Sequence, residues 1–197
     1  MKLQKIKILL FLFFFTTIVV SQNNIASKKI SLEDSINNKL KQGYKLTRSY
    51  QYKKAVNLII TYTELANSIK NDSLICKGYN ALAIINNSLG NDTIALNYLR
   101  KAEKLLIESK NYRYLGITYN NMAYVHFNNR NDVDSNVYYL KKSIRNYQRI
   151  KNSRGLALTY SNLGEALEKT NKLEESISIL DSALYHSKKS KRQNALS

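Results

Sequence analysis

Apolar residues along this chain recur with a helical period, and the helical pattern is itself repeated. Tyr79, Leu82, Ala83 and Asn86 fall at i, i+3, i+4 and i+7, one face of an α-helix. After the polar stretch at 88–92, Ile94, Ala95, Leu99, Ala102, Leu105 and Leu106 trace a second helical face. Asn91-Asp92 lies between the two faces, and Asn and Asp side chains there can accept from the free N–H groups of a helix start. Asn71-Asp72 and Asn131-Asp132 offer the same elsewhere. The pattern predicts antiparallel helices of roughly 17 residues joined by short turns.

The second level of order is a repeat. TYNNMAYVHFNNRNDVDS, 118–135, has a near-twin 41 residues on in TYSNLGEALEKTNKLEES, 159–176. Aligned on a small residue, the unit occurs four times, at Gly43, Ala83, Ala123 and Gly164, with spacings of 40, 40 and 41. Leu82, Met122 and Leu163 precede the last three, and Tyr79, Tyr119 and Tyr160 stand four residues before them; the first unit has Gln42 and Lys39 instead. Twelve residues after the small residue come Ala55, Ala95, Ser135 and Ser176, followed by Ile59, Leu99, Tyr139 and Leu180. IKN at 69–71, SKN at 109–111, IKN at 150–152 and SKR at 190–192 close the units.

The expected units are 35–71, 72–111, 112–152 and 153–191, with 192–197 a tail or the start of a further unit. Ala or Gly where helices cross lets the backbones approach, while Leu and Tyr fill the flanks. A lone helical hairpin leaves its second apolar face bare, so neighbouring units stack. The expected fold is an all-α solenoid of about four antiparallel helix pairs.

Composition agrees. The 197 residues include no proline, no tryptophan and only six glycines, and 44% are hydrophobic, enough for a packed core. The start reads differently. Lys2, Lys5 and Lys7 precede an apolar run from Ile8 to Val20, which as a helix rises about 20 Å, short of the roughly 30 Å bilayer core. With the small Ser21 following, residues 1–21 read as a secretory signal peptide cut before Gln22, and 22–34 as a lead-in. An uncleaved amino-terminal anchor is the alternative. The expected location is exported, periplasmic or extracellular.

Net charge is +17, and removing the three leader lysines leaves +14. Such a charge suits anionic lipid or acidic polymer, but the basic residues are scattered as on any solvated surface. Export argues against nucleic acid. The densest cluster, SKKSKR at 187–192, sits near a helix carboxyl end, where cations are stabilised. Cys76 is the single cysteine and occupies the unit position of Gly116 and Ala157, which marks it as a small packed residue. His126 replaces a packed aromatic and His186 lies 60 residues on; no HExxH, CxxC, GxGxxG, GxxxxGK[ST] or Gly-x-Ser-x-Gly occurs. Glu174-Glu175 fits the positive end of a helix dipole. No catalytic residue, metal site or cofactor is expected.

The landmarks resemble the tetratricopeptide repeat: Tyr160-x2-Leu163-Gly164-x2-Leu167 then Ser176-x3-Leu180-x2-Ala183, and Tyr79-x2-Leu82-Ala83-x2-Asn86 then Ala95-x3-Leu99-x2-Ala102. The resemblance covers 35–191 and departs in two ways: the unit is 40 rather than 34 residues, and the closing Pro is missing. Longer helices account for both, since Pro inside one would break it. The resemblance implies a non-catalytic scaffold binding a protein or peptide partner on the concave face lined by the first helix of each unit. Long-period arrays of this kind also resemble the periplasmic sensor portions of membrane-anchored bacterial regulators, histidine kinases or transcriptional regulators. In that second reading membrane contact comes only through an uncleaved leader or a further carboxyl-terminal part.

The stripe beside the packing face is the expected groove: Tyr44 in the first unit; Asn80, Ile84 and Asn87 in the second; Asn120, Tyr124, Phe127 and Asn128 in the third; Ser161 and Glu165 in the fourth. Asn amides suit the backbone of an extended peptide, and Tyr and Phe add flat apolar area. The alternative is that these positions are merely solvated. Leu40 and Tyr44 stand where some tetratricopeptide proteins place a Lys and Asn pair for peptide carboxyl termini, so that mode is not expected.

Overall fold

The computed structural model describes residues 32–128 and 132–195. The leader, most of the lead-in, residues 129–131 and the last two residues lie outside them. Among the described residues all regular structure is helical. The helices are α1 (32–48), α2 (Tyr52–Ser68), α3 (Asp72–Ser88), α4 (Asp92–Glu108), α5 (Tyr112–Asn128), α6 (Val133–Arg149), α7 (Ser153–Lys169) and α8 (Leu173–Ala195). The lead-in is thus helical from residue 32. α2 to α7 are each 17 residues long, and three-residue turns give a step of 20. Two steps make the 40-residue period. The connection from α5 to α6 has one residue more, which is the origin of the 41-residue spacing.

The turns share one chemistry. The middle residue takes the left-handed region at Tyr50, Lys70, Gly90, Lys110, Lys151 and Asn171. The next backbone N–H then reaches back five residues to close the helix end, as from Asn71 to Ala66 (3.1 Å), Asn91 to Asn86 (2.8 Å), Asn111 to Leu106 (3.0 Å) and Asn152 to Tyr147 (3.0 Å). The same Asn opens the following helix: Asn71 Oδ1 accepts from Leu74 N–H and Asn152 Oδ1 from Gly155 N–H. Asp132 does this for α6, accepting from Ser135, and its N–H reaches six residues back to His126. Asn91 holds the cap position without a side-chain cap bond. SKR at 190–192 is no turn, since it lies inside the 23-residue α8. Arg192 stands where the other units have Asn, and Arg propagates a helix that Asn would cap.

From α2 to α8 consecutive helices pack against each other, and α3 also touches α5, and α5 touches α7. The first helices of neighbouring units therefore meet along one side, which is the inner side of the solenoid. Leu99, Leu106, Met122 and Leu140 are essentially inaccessible in the core, each burial contributing about 1.5–3 kcal/mol. Gly43 faces Ile59 and Gly164 faces Leu180 so closely that a Cβ on either glycine would collide. The Tyr147 ring is held between Gly116 and Gly155, where an added Cβ would sit 2.6 Å and 2.5 Å from ring carbons. Cys76 is fully buried with its thiol 3.6 Å from Ala102 O, and burial pushes its pKa up to about 12.

The structure corrects one register. The residue equivalent to Ala55, Ala95 and Ser176 is Asn136, not Ser135, and the core residue equivalent to Ile59, Leu99 and Leu180 is Leu140, not Tyr139. Hydrogen bonds confirm the match: Ser176 Oγ donates to Gly164 O (2.8 Å), and Asn136 Nδ2 donates to Ala123 O (2.9 Å). The extra residue lies before α6, so everything after it shifts by one.

Candidate functional site

The inner stripe separates into two kinds of position. Asn80 and Asn120, expected to face a groove, are buried and tie units together. Asn80 Nδ2 donates to Thr118 Oγ1 (3.0 Å), while its Oδ1 accepts from Asn121 Nδ2 (2.7 Å). Asn120 Nδ2 donates to Thr159 Oγ1 (2.6 Å) and Ser143 Oγ (3.0 Å), while its Oδ1 accepts from Asn162 Nδ2 (3.0 Å). The recurring Thr-Tyr-x-Asn stretch is therefore a clasp. Its Thr and its last Asn grip the Asn of the preceding unit. Asn87 is buried as well.

The remaining positions form the surface. Tyr44 and Ile84 are half-buried, whereas Tyr124, Asn128, Ser161 and Glu165 are exposed. Burial raises the Tyr44 phenol above its ordinary value, with the neighbouring Tyr114 adding to the shift. Ser161 donates to Ala157 O within its own helix. In the third and fourth units, Asn120, Tyr124, Phe127, Asn128 and Glu165 border a single cleft of about 100 Å³ between α5 and α7. Phe127 is 9% exposed, and Lys169 Nζ stands 3.7 Å from its ring centroid.

The floor of this cleft comes from α6, through Asn136 and Leu140. Asn136 is 4% exposed, and among the described residues its Oδ1 has no hydrogen-bond partner. A buried unpaired acceptor costs about 1–3 kcal/mol, which a donor entering the cleft would recover. Sequence reasoning passed over Asn136 because of the register slip; an Asn among Ala, Ala and Ser was the available signal. The cleft thus joins a buried acceptor, an exposed phenol, an amide and a carboxylate, which suits one side chain of an extended peptide.

His126 stacks on Tyr139 (5.4 Å) and its Nδ1 lies 3.1 Å from Asp132 Oδ2, so it pins the start of α6. Bonds from Ser135 and then His126 hold the Asp132 carboxyl below its ordinary value. His186 stacks on Tyr160 (5.7 Å). Among the described residues no three His, Cys, Asp or Glu side chains gather as a metal site, and no helix is long and apolar enough to cross a membrane.

No family model matches the sequence, and no curated protein matches it. Solved structures do. BtubC (BKLC) from P. vanneervenii superposes with a TM-score of 0.66 at 15% identity over 79% of this chain, which spans 64% of that protein's length. A putative kinesin light chain from Podosopora anserina, described by its nearly identical TPR-like repeats, gives a TM-score of 0.50 at 11% identity, covering 80% of this chain and 97% of that one. The fold is thus that of the tetratricopeptide-type helical-repeat solenoids.

Proposed function

We propose that the chain is an exported, non-catalytic scaffold that holds an extended peptide segment of a protein partner along its inner face. The cleft between α5 and α7 carries this reading. It sets the exposed Tyr124 and Glu165 above a buried acceptor that has no partner among the described residues. Tyr44 and Ile84 continue the same stripe through the first two units and supply apolar contact along an extended ligand. Export rests on the basic head and short apolar run of residues 1–21. Nucleic acid is not a partner in this reading.

The test uses protein recovered after export, whose amino terminus is expected to be Gln22. It is panned against a phage-displayed library of random peptides. Selected peptides are expected to bind Tyr124→Ala/Glu165→Ala about tenfold more weakly or worse, while circular dichroism stays unchanged. Undiminished binding removes the groove reading, and an intact leader removes export. Asn120 is no probe here, because its loss breaks the seam.

A further inference from the structure

On the outer side, α4, α5 and α6 enclose a second cleft, of about 400 Å³. α6 lines it with Lys142, Arg145 and Arg149, which stand at i, i+3 and i+7 on one helical face. Lys110 faces them from the left-handed position of the α4–α5 turn. Two of the four cations are engaged. Lys142 Nζ lies 3.1 Å from Glu103 Oε1 and 4.2 Å from the Tyr119 ring centroid, while Arg149 stacks at 5.0 Å on Tyr112. Among the described residues no carboxylate pairs with Lys110, Arg145 or Arg149.

Like charges three and four residues apart destabilise a helix. Lys142 ties α6 to Glu103 of α4 and Arg149 stacks on Tyr112, but fold stability gives no comparable reason for Lys110 and Arg145. A bound anion does. Guanidinium groups match phosphate oxygens in pairs, and a cleft walled by low-dielectric side chains concentrates their field. The Tyr112 ring and the buried Leu115 add a flat apolar wall beside the cations.

We infer that this outer cleft binds an organic phosphate. Lys110, Arg145 and Arg149 take the dianionic group, and the body of the ligand lies against Tyr112 and Leu115. The site is independent of the peptide cleft and lies on the other side of α5.

Phenyl phosphate and inorganic phosphate are titrated calorimetrically into the whole protein at about 50 mM salt, where screening is modest. Phenyl phosphate is expected to bind saturably and more tightly than inorganic phosphate. Lys110→Gln/Arg145→Gln is expected to weaken it at least about tenfold. The same variant is expected to melt no lower than the parent without ligand, because repulsion is relieved. Lys53→Gln/Lys188→Gln carries an equal charge change on exposed positions elsewhere and is expected to bind like the parent. Equal weakening by both pairs means diffuse attraction to a basic protein and overturns the site, as does the absence of saturable binding. Equal affinity for the two phosphates overturns the role of the apolar wall.

Discussion

The seam between the first two units and the seam between the last two solve one packing problem with different chemistry. Between units three and four, Asn120 is gripped by Thr159, Asn162 and Ser143, and Ser143 Oγ in turn donates to Gly116 O (2.8 Å). Between units one and two, the same positions carry Leu40, Gly78 and Ala81, and Leu40 packs among apolar neighbours including Ala81 and Leu82. Each seam also seats one buried tyrosine against glycine: Tyr62 at Gly78, Tyr147 between Gly116 and Gly155. The lesson is a division of labour. Apolar burial drives both seams together without specifying register, whereas a buried amide held by three side chains tolerates no slip, because slipping strands its donors and acceptors.

The strongest way to break the polar seam is to remove its tyrosine. Tyr147→Ala empties the space that two glycines keep open for the ring and is expected to cost about 4 kcal/mol, read from urea unfolding. A loss below about 1 kcal/mol means that the ring does not organise the seam. Next comes an exchange of chemistries. Asn120→Leu is expected to cost about 2 kcal/mol by stranding Thr159, Ser143 and Asn162.

The reverse change, Leu40→Asn, is expected to cost about 1 kcal/mol alone. Adding Ala81→Asn restores part of it, since the two introduced amides would stand to each other as Asn80 and Asn121 do. A double-mutant coupling below about 0.5 kcal/mol denies that the clasp is portable. The smallest effect serves as a control. Lys70→Gly and Lys151→Gly each relieve a left-handed residue (φ 51° in both) in the turn before a seam, and each is expected to add about 1 kcal/mol. Unequal gains trace the contrast to the turns rather than the seams.

Helix length, pairing and the crowded small positions at Gly43 and Gly164 were legible in the sequence because they depend on local spacing and side-chain size. The exact register was not. Counting could not say where between Ala123 and Gly164 the extra residue falls, although helices confine insertions to turns, and Leu140 rather than Tyr139 was the better core candidate. The seam role of two asparagines was hidden for a different reason. A sequence shows that Asn80 and Asn120 are polar, but not that their partners wait about 40 residues away. SKR at 190–192 imitated a turn in two letters of three and lacked the one that caps. Of the cleft, Tyr124, Phe127, Asn128 and Glu165 were readable, while its buried floor required the fold.

The twenty-residue step has an architectural corollary. Apart from the longer α5–α6 connection, links within a unit and links between units have the same length, so the repeat has no privileged joint at which growth must stop or start. Adding one link would lengthen only one flank, inner or outer by turns, whereas adding two lengthens both and repeats the lattice of contacts. Elongation by duplication therefore favours even increments, and the ligand-facing surface extends in strides of one helix per pair.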